Sequence, residues 1–229
     1  MTDSTRATLD RRIQEHLDEI LVLGSMVEQA ITGSVQALKE RDLPTAQTIY
    51  DQDIQINNKR YNIEQKTLTT VATQQPMARD LRILSSILDI AGELERIGDY
   101  AKGIARITIR LGDDPPLRAL HHIPKMAALT SDMLHRAVGA FVALDEETAG
   151  AIPQEDDQVD DLYNALYREL LDIMLDDHGK VDQATFHLWV SHNLERAADR
   201  VTNICERTIF TVTGNLVEFD RSDDETGRF

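Results

Sequence analysis

The chain has 229 residues, 41% hydrophobic and 5% aromatic, with 24 Lys and Arg against 40 Asp and Glu, giving a net charge of −16. That apolar content suffices for a core and excludes wholesale disorder. So negative a field repels phosphate backbones and anionic lipid surfaces, which excludes direct nucleic-acid binding as an expectation.

Few aromatics among abundant Leu, Ile, Ala, Glu and Arg predict an all-α protein. In the first predicted helix, over 9–38, Leu9, Ile13, Leu17, Ile20, Val27, Ile31, Val35 and Leu38 recur at helical intervals. Asp42-Leu43-Pro44 joins a capping residue to an early proline and starts a second helix expected over 44–71. Gln75-Pro76 opens a third, with Ile83, Ile87, Ile90, Leu94, Ile97, Ala101, Ile104, Thr108 and Leu111 spaced 4,3,4,3. Such a seam asks for near-parallel or antiparallel neighbouring helices. Asp113-Asp114-Pro115-Pro116 ends it and divides the chain.

Further helices are expected over 116–143 and 153–177, with His178-Gly179 breaking before the last. The final seam reads His187, Val190, Leu194, Ala197, Val201, Ile204, Thr208 and Thr211, and it matches the earlier one at an offset of 100 residues. The reading is two tandem, pseudo-symmetric three-helix bundles over 1–114 and 115–216, followed by a flexible acidic tail over 217–229. Trp189 and Phe186 read as core, and glycines 24, 33, 92, 98 and 103 as sites of close helix packing.

The offset also relates Leu94-Glu95-Arg96-Ile97-Gly98-Asp99 to Leu194-Glu195-Arg196-Ala197-Ala198-Asp199. Each copy keeps two carboxylates four residues apart, stacked on one helix face. They continue stripes that begin apolar, at Leu81, Leu84 and Leu88 in one half and at Val181, Ala184 and Leu188 in the other. Most such acids are solvated or pair with neighbours, here Arg96 and Lys102. Their recurrence favours a shared task, because a duplicated core needs only the apolar period. Clustered carboxylates repel one another and suit a hard cation. His192, three residues before Glu195, reads as packing or surface, and Cys205, the single cysteine, as a small buried hydrophobe.

One cysteine forms no intramolecular disulfide, and Met1-Thr2-Asp3-Ser4 begins no basic-then-apolar leader, so a cytoplasmic location is expected. The longest apolar stretch, 20–27, is interrupted by Gly24 and Ser25 and falls far short of the about 20 residues that span a bilayer, so no direct membrane insertion is expected.

Asp80-Leu81-Arg82 followed by Glu95-Arg96-Ile97-Gly98-Asp99-Tyr100-Ala101, with residues 193–204 in the second half, resembles the PhoU family across nearly the whole chain. The resemblance implies a non-enzymatic negative regulator of phosphate uptake and phosphate-starvation signalling. It acts through the ATPase of the phosphate ABC transporter and the phosphate sensor kinase, often as a homodimer. It also implies divalent or trivalent metal ions, including multinuclear iron clusters, held by Glu95, Asp99, Glu195 and Asp199. Asp53, Asn57, Asp156 and Asp160 on the second helix of each half, and Asn203, are further ligands on this pattern. The first half departs from the second with Asn57 against Asp160 and Gly103 against Asn203. Two other readings of the same acids stay open: a helical metal-dependent enzyme or metal store, and a structural spacer with solvated acids.

Overall fold

A computed structural model describes residues 3–112, 114, 117 and 121–219. The first bundle is α1 (Asp3–Glu40), α2 (Leu43–Gln74) and α3 (Arg79–Leu111). The second is α4 (His122–Ala143), α5 (Glu146–Ala151), α6 (Asp156–Asp176) and α7 (Val181–Thr213). Local chemistry sets the joints. Asp42 accepts from Thr45 N at 3.0 Å to start α2, and Asp145 accepts from Thr148 N at 3.1 Å to start α5. Gly112 and Gly214 take left-handed φ of 57° and 80° where α3 and α7 end.

All residues of both seams are buried. One core cluster takes residues from both bundles, because α1 packs on α4 and α3 on α7 as well as on helices of their own half. At the α1–α4 crossing a Cβ on Gly24 would sit 3.1 Å from Val138 Cγ1. The α3–α7 pair is antiparallel. Passing from Ser86 to Glu93 to Gly103 on α3, the partners on α7 run backward through Thr211, Asn203 and Asn193. The offset of 100 residues exchanges the last two contacts, which places an approximate two-fold axis between the bundles.

Several boundaries differ from the sequence reading. The third helix starts at Arg79, after a left-handed Gln75 and a positive φ at Ala78. The fourth starts at His122; Leu117 lies outside any helix, and Pro116 falls outside the described residues. Pro153 sits in a 3-10 turn (Ile152–Glu155) between the short α5 and α6, because its ring removes the donor that a continuous helix would need. Trp189 is 49% exposed, not core, and stacks edge-on against Phe186. The stripe residues Leu81 and Val181 are exposed at their helix starts. Gly92 meets nothing within 4 Å, so packing does not explain it. Of the expected tail, 220–229 lie outside the described residues. Phe219 packs against the core, and its N–H donates to Glu206 Oε1 at 3.0 Å. Among the described residues no helix is long and apolar enough to cross a membrane.

Candidate metal centre

In the first half α2 carries Asp53 and Asn57 one turn apart, and α3 carries Glu95 and Asp99. The helices come close where Gly98 meets Ile56, a Cβ there lying 3.1 Å from Ile56 Cδ1. Asp53 is 4% exposed. Its Oδ2 accepts from Asn57 Nδ2 at 3.1 Å and from Lys102 Nζ at 2.7 Å. Lys102 Nζ also stands 3.9 Å from Asp99 Oδ1. Asp53 Oδ1 and Asn57 Oδ1 are buried without a hydrogen bond. Burial, then the Asp99 charge, holds Glu95 above the usual carboxylate range. Burial and Asp53 do the same for Asp99, with Lys102 opposing.

In the second half α6 supplies Asp156 and Asp160 in its first turns, and α7 supplies Glu195 and Asp199. Burial, joined by the charges of Asp160, Asp199, Glu195 and Asp157, pushes Asp156 up to about 7. Asp156 Oδ1 and Glu195 Oε2 are buried and make no hydrogen bond. His192 is half exposed, with Nδ1 3.3 Å from Glu195 Oε2.

Asn203 does not join these four in its Nδ2 contact, which goes to Glu93 Oε2 of α3 at 3.1 Å. The helical repeat explains this. Eight residues after Glu195 the side chain has turned about 80° past two full circuits, off the α6 face and toward α3.

A carboxylate pair on one helix facing an acid with an amide in the first half, and a second acid pair in the second half, with buried oxygens that make no hydrogen bond, offer the kind of donor set that a hard cation takes. The clusters are open. Among the described residues, the only three His, Cys, Asp or Glu side chains whose ligand atoms all lie within 4.8 Å of one another are His121, His122 and Glu169. That trio went unseen in the sequence, since Glu169 stands 48 positions after His121 and so distant a partner leaves no spacing signal. His122 Nε2 lies 3.3 Å from Glu169 Oε2. Other reactive groups are muted: burial pushes the Cys205 thiol up to about 12, so it stays protonated and inert.

A duplicated helical bundle with an oxygen-rich cluster in each half is thus the class that fold and site define. The PhoU domain family model matches residues 20–108 and again 123–208, and the chain belongs to the PhoU family. A Clostridium acetobutylicum protein described as a phosphate-specific transport system accessory protein PhoU homolog is 36% identical over 217 residues, covering 94% of this chain and 99% of its own. The crystal structure of the phosphate transport system regulatory protein PhoU from Streptococcus pneumoniae superposes with a TM-score of 0.86 at 31% identity. The match covers 92% of this chain and all of that one. PhoU from Pseudomonas aeruginosa gives a TM-score of 0.84 at 32% identity, covering 90% and 99%.

Proposed function

We propose that this chain is a metal-binding accessory regulator of a phosphate transport system. It restrains phosphate uptake and starvation signalling when phosphate is plentiful, through contacts with the transporter's ATPase and the phosphate sensor kinase. Family membership and the names borne by its relatives support the regulatory role. The metal reading is carried by one observation: among Asp156, Asp160, Glu195 and Asp199, burial first and the neighbouring charges after it raise the Asp156 carboxyl to about 7, and Asp156 Oδ1 is buried without a hydrogen bond. A bound cation removes that repulsion and gives that oxygen a partner. Metal then acts by fixing the angle of α6 on α7 and the charge of the face offered to basic partner surfaces.

The test is complementation. In a bacterium lacking its own PhoU protein, this chain should restore repression of the starvation response at high phosphate, and Glu195→Gln/Asp199→Asn should not. Full repression by that variant, folded and stripped of metal, would remove metal from the mechanism. Failure of the wild type to associate with the transporter ATPase or the kinase at any metal concentration would remove the partners.

A further inference from the structure

His121 and His122 at the start of α4 meet Glu169 of α6, nine residues beyond Asp160 and so about 13–14 Å along that helix from the carboxylate cluster. One ligand atom from each of the three lies within 4.8 Å of the other two, and His122 Nε2 stands 3.3 Å from Glu169 Oε2. Donors held about 2.0–2.1 Å from a tetrahedral Zn2+ lie about 3.4 Å from one another, so that edge already has the required length. The longest remaining separation has to close by no more than about 1.4 Å. The two imidazole rings have centroids 4.0 Å apart and are tilted by 38°, and rotation of the exposed His121 side chain brings its donor in.

This donor set selects a different ion from the oxygen clusters. Two imidazole nitrogens with one carboxylate oxygen suit a borderline metal such as zinc, whereas Mg2+, Ca2+ and Mn2+ prefer oxygen alone. The local charge points the same way. Glu169 supplies one negative charge, against Lys125, whose charge also reaches His122, and against the partial positive charge of the α4 N-terminus. A hard ion, held by charge, gains little there, while zinc is held through nitrogen lone pairs. His122 Nδ1 is buried and makes no hydrogen bond, so Nε2 is the nitrogen open to an ion. The ring then lacks the outer partner that fixes a zinc-bound histidine, which lowers affinity about 10–100-fold and makes the ion exchangeable.

We propose that His121, His122 and Glu169 form a third metal site, one for Zn2+, with His122 Nε2, a His121 ring nitrogen and a Glu169 carboxylate oxygen as ligands and water in the fourth position. Bound zinc ties the first turn of α4 to the later part of α6, two helices that pack together in the second bundle. The site uses none of the acids on which the metal reading above rests, so either can fail without the other.

The experiment titrates Zn2+ into the tag-free, metal-stripped full chain against a chromophoric chelator, with excess Mn2+ present to fill the oxygen clusters. The wild type should bind one Zn2+ that His121→Ala, His122→Ala and Glu169→Gln each weaken at least about tenfold. Glu95→Gln/Asp99→Asn and Glu195→Gln/Asp199→Asn should leave it in place, as should His135→Ala, which removes an exposed histidine elsewhere on α4. Co2+ in place of Zn2+ should give the visible absorption of a four-coordinate site in the wild type and lose it in the three trio variants. Helical circular dichroism checks folding. Should His122→Ala, whose side chain is only 16% exposed, fail to fold, the more open His121→Ala and Glu169→Gln carry the test. No Zn2+ bound by the wild type under these conditions overturns the proposal, as does unchanged binding in folded His121→Ala or Glu169→Gln. Loss of the zinc in either acid-pair variant places it in the oxygen clusters, and loss in His135→Ala assigns it to scattered surface histidines; each overturns the trio.

Discussion

Asn203 of α7 donates a 3.1 Å hydrogen bond to Glu93 of α3, and under the 100-residue offset this pair maps onto Gly103 and Asn193, which also lie against each other. Duplication made the contact twice, and divergence kept a hydrogen bond at one end and a small residue with an amide at the other. The Glu93 carboxylate is 13% exposed on its side chain and already faces Arg96 at 2.6 Å and Arg200 at 3.6 Å.

Asn203→Asp should therefore set two partly buried carboxylates against each other and cost about 1–2 kcal/mol. For a chain of this length that is a melting point about 3–6 °C lower. Adding Glu93→Gln should restore most of the loss, because the amide donates to the new carboxylate. The measurement is a double-mutant cycle by thermal denaturation in chelator. An Asn203→Asp melt identical to wild type would show that the contact between the bundles carries no energy.

The α1–α4 crossing gives a second prediction. Val138 is buried and β-branched, so its χ1 cannot swing freely away from a new atom on Gly24, whose Cβ would lie 3.1 and 3.2 Å from its two methyls. Gly24→Ala should come out near neutral, since about 1 kcal/mol of helix propensity offsets the small shift required. Gly24→Leu should lose about 1–3 kcal/mol by overpacking. Gly92→Ala, where nothing stands within 4 Å, should gain about 0.5–1 kcal/mol. Urea unfolding of the three variants checks the ordering, and a Gly24→Leu protein as stable as Gly24→Ala would refute the close approach.

Much of this architecture was legible because apolar period alone determines it. Seams such as Ile83 to Leu111 have one buried solution, and the acid pairs announced themselves by returning at the same offset. What escaped was set by contacts between helices. The direction of Asn203 depends on which neighbour lies within reach after an 80° drift. The short α5 depends on how Asp145 caps the turn after a left-handed Leu144. Lys102 reads in one dimension as an ordinary surface lysine beside Asp99, and only the packing of α2 on α3 brings Asp53 under its ammonium. Trp189 looked like core because tryptophan usually is, yet it falls just outside the buried stripe that His187 and Val190 define.

Acid sensitivity follows from His16, buried on α1 with Nε2 2.9 Å from Thr70 Oγ1 and Nδ1 without a partner. Thr70 Oγ1 donates to Lys66 O at 3.1 Å, so its remaining capacity is to accept, and the histidine carries its proton on Nε2. Burial disfavours the charged ring and lowers the His16 pKa. The nearby Glu15 and Glu19 oppose this, while Lys66 and Arg12 reinforce it. Below the ordinary pKa of about 6.5, the unfolded chain takes up a proton that the folded chain refuses. Stability contributed by the neutral ring is therefore complete above that pH and is lost as the pH falls below it. Each such group steepens the loss by at most about 1.4 kcal/mol per pH unit. His187, also buried with a lowered pKa, adds to the same window. In urea titrations at pH 7.5, 6.5, 5.5 and 5.0, His16→Gln should show a shallower fall than wild type while starting less stable at pH 7.5. A variant whose slope between pH 6.5 and 5.0 equals the wild type's would mean that His16 takes up its proton in the folded protein as easily as in the unfolded chain.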